Sequence, residues 1–366
     1  MLKRLLIVTT IRHRQYLLGD LLHHFKTLHQ PFFLLAKSKR LLNRGLSEHW
    51  SSTKIFLPVI TPIIFVVLLP IIWLIFGLAF FWRLWRQQID TVLLFSWPEK
   101  IVFSPIVSLL KKRLIWVEYP DDYLQNTSKI INFFYKLFGK KAEIIVFGNK
   151  PAERLRTLIN NEKISVVLPS SPAKRLEQHS IFKTLADKTL RSRFVVGSVL
   201  YGLPKDQAER LLSALAIAQS VCPLIELVII GGGNNRQQIQ WLARKMGLER
   251  RVWLAGPTTD FSRWIGHLDV YIMANKKPNL EDAAWAIKAM STGLPVLAPQ
   301  VSWLEDIVNE KTGARLDIID PEVIARQLIT LEQDLELRKA LGKEAKVLSE
   351  KLSFENFSES FIKLLS

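Results

Sequence analysis

The sequence predicts an α/β protein: two doubly wound parallel sheets in tandem, with an apolar helical insertion in the first. Three observations carry that expectation. Short apolar runs recur along the 366 residues, separated by stretches long enough to form a helix. A polar, proline-containing segment, SSPAKRLEQHS at 170–180, divides those runs into two sets. One stretch, 55–82, runs for 28 residues without a charge.

The first set opens with LLIVTT (5–10) and FFLLA (32–36). After the long apolar stretch come TVLLF (91–95), RLIWVE (113–118) and EIIVFG (143–148), and the set closes near SVVLP (165–169). Helical segments between these strands make one parallel sheet. The second set begins at RFVVGSVLYG (193–202), followed by a helix over 205–219, ELVIIGGG (226–233) and a helix over 235–246. RVWLAG (251–256), a helix near 261–267, DVYIMA (269–274) and a helix over 281–291 come next. PVLAP (295–299), a helix near 303–309 and GARLD (313–317) precede three closing helices over 321–333, 335–350 and 354–365. The expected organisation is a first domain over 1–168 holding the apolar segment 55–86, a linker over 169–190, and a second domain over 191–350. A terminal segment over 351–366 packs back toward the first domain. Ligands are expected at strand C-terminal ends and in the cleft between the domains.

IFLPVITPIIFVVLLPIIWLIFGLAFFW exceeds the ~20 residues that cross a bilayer as a helix. Length alone suits a transmembrane span. Pro58, Pro62 and Pro70 interrupt it, and both flanks are basic, with five Lys/Arg in 37–54 and three in 83–100. A single crossing would also leave the two halves of the first sheet on opposite sides of a membrane. The run is therefore expected to enter and leave on one face, as a hairpin or an in-plane helix, anchored by Trp73, Trp82, Trp85, Arg83 and Arg86. A wholly buried core helix is the other alternative.

Charge points the same way. The chain carries +17, and residues 1–150 hold 21 Lys/Arg against 8 Asp/Glu, a net of +13. Such a half calls for an anionic partner, a nucleic acid or an anionic membrane surface. No nucleic-acid module is recognisable, and nucleic acid would not account for the apolar run. Cys222 is the one cysteine, so no intrachain disulfide forms. MLKRLLIVTT reads as a first strand rather than a signal peptide.

Few residues announce chemistry by spacing alone. Gly231, Gly232 and Gly233 follow a strand and precede a helix, where backbone amides approach a phosphate; a plain β–α turn reads the same way. No GxxxxGK[ST] or GxGxxG element is present, which disfavours a P-loop nucleotidase and a dinucleotide-dependent oxidoreductase. Glu118, Asp121 and Asp122 lie at the end of a strand in EYPDD, where substrate belongs; Asp121 and Asp122 also suit a solvated turn or a helix N-cap. The acidic residues and histidines, including His23 and His24, form no metal-ligand spacing.

Taken in order, FVVGSV, LPKDQAERLLSALAIA, LVIIGGGNNRQQIQWLARKMGLERRVWLAG, WIGHLDVYIMA, EDAAWAIKAMSTGLPVLAP and EDIVNEKTGARLD resemble the donor domain of the retaining family-4 glycosyltransferases. The resemblance covers about 190–350; over 1–165 it extends only to the strand–helix pattern. It implies the two-Rossmann glycosyltransferase-B fold and a nucleotide-sugar co-substrate, with no other cofactor and no protein-bound metal. The family has two glutamates separated by seven residues, the first holding the donor sugar and the second, before an Ala-Met pair, the ribose hydroxyls. Lys288 stands at the second place, and an ammonium has no acceptor to offer. The residue eight before Lys288, at the family spacing, is Leu280; Glu281 and Asp282 are one and two residues off it, and Glu281 stands nearest the first. Lys205 stands in for the family's phosphate-binding lysine, while Tyr201 is near the arginine's place. Gly197 in FVVGSV and Gly256 closing RVWLAG complete the donor-side candidates. No histidine follows RLIWVE, and TTIRHRQYLLGD lacks the glycine-rich acceptor loop.

These residues imply a glycosyltransferase on the cytoplasmic face of a membrane, peripheral or monotopic. It passes a sugar from a nucleotide-sugar to a lipid-linked or membrane-proximal acceptor, with Glu118, Asp121, Asp122 and Glu281 as catalytic candidates. The alternative is a catalytically degenerate partner or scaffold of the same fold.

Overall fold

The computed structural model describes residues 4–10, 16–55, 57, 62–119, 129–171, 193–200, 204–231, 233–256 and 262–365. The chain forms two units, the first of residues 1–169, 279–281 and 357–366, the second of residues 170–278 and 282–356. Asp121, Asp122, Tyr201, Gly232 and linker residues 172–190 lie outside the described residues.

In the first unit the apolar runs form strands and the amphipathic segments the crossovers between them. In order these are β1 (Leu5–Thr9), α1 (Tyr16–Thr27), β2 (Phe32–Ala36), α2 (Lys39–Ser47) and β3 (Ser52–Lys54). The apolar run then supplies α3 (Pro62–Val67), α4 (Leu69–Ile72), a π-helical turn over Trp73–Gly77 and α5 (Leu78–Arg86). β4 (Thr91–Leu94), α6 (Trp97–Leu109), β5 (Arg113–Glu118), α7 (Lys129–Phe138), β6 (Glu143–Val146), α8 (Asn149–Ile159) and β7 (Ile164–Val166) follow. All seven strands pair in parallel, in the order β3-β2-β1-β4-β5-β6-β7.

β3 has no apolar signature and is not expected from the sequence. Its residues STK lie on a sheet edge, half-exposed to exposed, where burial makes no demand on side-chain type. Its presence decides the path of the apolar run. The run leaves β3 and returns to β4, two strands of one sheet, which is incompatible with a single bilayer crossing. Neither is it a buried core helix. Phe65, Leu69, Ile72, Phe80 and Leu84 face the core, while most of the large side chains between them are exposed. The run packs on α6, where Phe80 stacks on Phe103 at 4.1 Å and Gly77 lies against Ile106.

The second unit contains β8 (Phe194–Val199), α9 (Lys205–Gln219), β9 (Ile225–Ile230), α10 (Arg236–Lys245), β10 (Val252–Gly256) and α11 (Ser262–Ile265). It continues with β11 (Val270–Ile272), α12 (Leu280–Met290, whose first two residues group with the first unit), β12 (Val296–Pro299), β13 (Gly313–Leu316), α13 (Pro321–Gln333) and α14 (Leu335–Lys351). Its six parallel strands run β10-β9-β8-β11-β12-β13. The helix expected near 303–309 is only a 3-10 turn, Ser302–Leu304, because the side chains of Asn309 and Thr312 bond locally and turn the chain into β13. Cys222 is buried, and burial together with Glu332 pushes its thiol up to about 11, so it is inert at neutral pH.

The last helix, α15 (Phe354–Leu365), crosses from the second unit's residues to the first's at Phe357. Arg113 on β5 holds its end. The guanidinium pairs with Glu143 at 2.6 and 2.9 Å and donates to the carbonyls of Leu364 and Leu365, both at 2.7 Å. A cation on the last carbonyls satisfies groups that a helix terminus leaves unpaired.

Candidate functional site

The second sheet winds both ways from β8: toward β9 and β10 on one side, and toward β11, β12 and β13 on the other. Loops leaving the carboxyl ends of β8 and β11 therefore diverge, and open α/β sheets bind ligands in that crevice. Here it is bridged by polar side chains. Asn275, just past β11, accepts from Gln207 Nε2 on α9 at 3.2 Å and from the Lys277 amide at 3.1 Å. Its Nδ2 donates to Asp282 Oδ2 on α12 at 3.0 Å. Lys205, the first residue of α9 and two before Gln207, is exposed.

The neighbouring turn is shaped by glycine. Gly231 donates its amide to the Gly256 carbonyl at 3.0 Å, tying the end of β9 to the end of β10. Gly256 has φ +78°, a conformation L side chains rarely adopt. Gly233 is exposed on the same turn. Arg236 opens α10 and reaches back to the Leu254 carbonyl at 2.8 Å, so a cation is fixed at this end of the sheet. Arg236, Gln207 and Asn275 are not among the residues that the sequence singles out. Arg236 had a legible signal, a cation in the first turn after a glycine-rich loop; nothing in spacing marks the other two.

α12 carries the remaining candidates. Asn279 Oδ1 accepts from the Glu281 amide at 2.8 Å, an N-cap that fixes the start of the helix. Glu281 is buried and Asp282 is held by Asn275. Lys288 lies seven residues after Glu281, two helical turns, and so on the same face. It is half-buried, and burial holds its ammonium below the usual lysine range against the opposing pull of Glu355. α12 ends in the turn Ser291–Gly293, where Gly293 has φ +85°. α14 crosses this turn at Gly342, where a Cβ would stand 2.1 Å from the Gly293 carbonyl oxygen. Gly342→Ala is therefore expected to push α14 off the turn and lower stability by about 1–3 kcal/mol, read from urea unfolding; an unchanged midpoint would show that α14 shifts at no cost.

Two expected site residues sit elsewhere. Gly197 is in the middle of β8, under the Leu268 side chain, so it serves strand packing rather than the ligand turn. Glu118 ends β5 in the first unit, but its carboxylate is buried and held by Lys100 Nζ at 2.6 Å and the Tyr135 hydroxyl at 3.3 Å. A carboxylate enclosed in an ion pair is a structural charge, not one presented to substrate. Among the described residues, no three His, Cys, Asp or Glu side chains converge as metal ligands.

Two parallel Rossmann-like sheets in tandem, the second with a polar switch-point crevice, define the glycosyltransferase-B fold. Residues 192–334, within the stretch that forms the second sheet, match the family described as Glycosyl transferases group 1. An uncharacterized glycosyltransferase of Methanocaldococcus jannaschii is 24% identical over 264 residues. That match takes in 64% of this chain and 63% of the relative, under two thirds of its length. Solved structures agree in fold. A glycosyltransferase from Rickettsia africae superposes with a TM-score of 0.76 at 13% identity, covering 99% of this chain and 97% of its own. HepE from Anabaena, in complex with UDP, superposes with a TM-score of 0.73 at 13% identity, covering 99% of both chains.

Proposed function

We propose that the protein transfers a sugar from a nucleotide-sugar to a lipid-linked or membrane-proximal acceptor while held on the cytoplasmic face of a membrane. The observation that carries the donor side is the crevice lined by Gln207, Asn275 and Asp282, with Lys205 opening α9 and Arg236 fixed at the β9–β10 end of the same sheet. Cations and backbone amides at strand and helix ends suit a diphosphate. Glu281 takes the sugar, Asp121 and Asp122 are the acceptor-side carboxylates, and the anomeric configuration is retained. No metal or organic cofactor takes part in this reading. Support for membrane contact comes from the exposed apolar face of residues 62–86 and the +13 balance of residues 1–150.

UDP is the first probe, following the Anabaena structure. Calorimetry is expected to detect UDP binding, and Lys205→Ala to weaken it about 10- to 100-fold, the loss of a charge-assisted hydrogen bond to phosphate. Wild-type protein that takes up no nucleoside diphosphate at millimolar concentration would end this reading.

Lys288 favours a second reading. A half-buried ammonium paired electrostatically with Glu355 stands where ribose hydroxyls need an acceptor. In that case the fold is kept by a catalytically degenerate partner, and nucleotide binds weakly or without turnover.

A further inference from the structure

The first unit has more apolar surface than its longest apolar run supplies. The sheet order places the β3-to-β4 crossover and the β4-to-β5 and β5-to-β6 crossovers in the same direction along the sheet. Parallel crossovers are right-handed, so α3–α5, α6 and α7 cover one face. Their contacts agree. The π-helical turn and α7 both pack on α6, α3 packs beside α7, and Phe65 meets Trp97 edge-on at 4.9 Å. α7 is two-sided. Ile131 and Tyr135 are buried and Phe134 and Phe138 pack against the core, while Phe133 and Leu137, one turn apart, are 62% and 51% exposed.

We propose that α7 and the 62–86 run form one bilayer-facing surface whose basic rim selects anionic lipid headgroups. This inference rests on the membrane contact proposed above and adds to it a second contacting helix, an in-plane rather than hairpin geometry, and a lipid class. Ile71, Leu74, Leu78, Trp82 and Trp85 point outward along the run, with Trp85 74% exposed. With Phe133 and Leu137 the patch is on the order of 1,000 Å², about twice the largest on an ordinary monomer.

Charge chooses the occupant. Residues 49–89 and 123–142 contain no Asp or Glu, and they carry Lys54, Arg83, Arg86, Lys129, Lys136, Lys140 and Lys141. Arg86 lies 4.9 Å over the Trp82 ring, a cation and an indole together at the end of an apolar helix, the arrangement of an interfacial anchor. A second copy of the chain would set these cations against their own equivalents, with no carboxylate from these two segments between them. An anionic bilayer supplies both the apolar phase and the counter-charge.

The test is vesicle co-sedimentation of the full chain, with phosphatidylcholine alone or mixed with phosphatidylglycerol. Wild type is expected to bind the anionic vesicles at least tenfold tighter than the neutral ones, and less tightly as salt rises. Phe133→Ser with Leu137→Ser is expected to weaken binding at least tenfold, as is Trp82→Ser with Trp85→Ser. Lys136→Gln with Lys140→Gln is expected to cost about fivefold per lysine on anionic vesicles only. All these positions are exposed or half-exposed, and UDP affinity, measured in parallel, is expected to stay at the wild-type value. In wild type, brominated acyl chains are expected to quench tryptophan emission. If the α7 variant binds as wild type does while the tryptophan variant is lost, the second contact is overturned and the membrane reading stands. If wild type binds no vesicle and shows no quenching, both fall, whatever UDP does. A dimer that dissociates in the Phe133 and Leu137 variant, with no vesicle binding, would assign the surface to a second copy and overturn the proposal.

Discussion

Lys100→Met is expected to destabilise the first unit by about 3–5 kcal/mol, the largest effect foreseen for a single side chain. Lys100 is fully buried on α6 and Glu118 is 2% exposed on β5. Besides the 2.6 Å pair with Glu118, the ammonium donates to the Val117 carbonyl at 3.0 Å and meets the Tyr135 hydroxyl at 3.4 Å. The rings of Trp116 and Tyr135 lie beside it, with centroids 5.8 and 5.7 Å away. Removing the cation leaves a carboxylate without its counter-charge in a site that water does not reach, and that orphan dominates the cost. Lys100→Met combined with Glu118→Leu removes both charges and is expected to recover most of the loss, because a buried pair contributes little beyond an apolar replacement of like volume. Urea unfolding of the three variants measures the cycle. A single-variant loss under about 1 kcal/mol would mean that solvent reaches Glu118 and would return it to the candidates for chemistry.

Glu99→Gln, one residue earlier, is expected to cost about 2–4 kcal/mol for a different reason. The Glu99 side chain is fully buried, and its two oxygens accept three backbone amides. Oε2 takes that of Thr10 at 2.8 Å, past the end of β1; Oε1 takes those of Phe95 at 2.7 Å and Ser96 at 2.5 Å, past the end of β4. Its bond to the Ser96 amide, the residue that precedes α6, is the glutamate half of a capping box at the start of that helix. Glutamine keeps the shape but offers one oxygen and turns an NH₂ toward donors. Hydrogen exchange locates the effect, and the Thr10, Phe95 and Ser96 amides are expected to lose protection before the strands do. Unchanged protection at Thr10 would show that the carboxylate does not hold the end of β1.

These two residues mark where the sequence was legible and where it was not. Strands such as LLIVTT, RLIWVE and ELVIIGG declare themselves because a strand covered on both faces is apolar throughout. The closing helices declare themselves by period and caps. Glu99 and Lys100, by contrast, read as an ordinary charged pair in SWPEKIVF. Their distant partners, Thr10 and Glu118, are 89 and 18 residues away, and only the pairing of β1, β4 and β5 brings them together. The same limit made Glu118 look like a residue for substrate: a carboxylate at a strand end looks alike whether it meets water or a lysine. On the donor side, Lys205, Gly231 and Asp282 could be picked out because each stands at an element boundary. Asn275 and Gln207 could not, since a bond across the switch point depends on strand order, which local spacing does not encode.

The return of α15 has a consequence for the newborn chain. Residues 357–365 are the last described segment to leave the ribosome, after the whole of the second unit, yet they belong to the first. Until they emerge, the Arg113 guanidinium has no helix end to hold, and Phe147 lacks Phe357, its stacking partner at 6.4 Å. The unit translated first is thus the one completed last. A premature stop codon just after Asn356 would injure the unit made longest before it, and would leave every residue of the second unit in place.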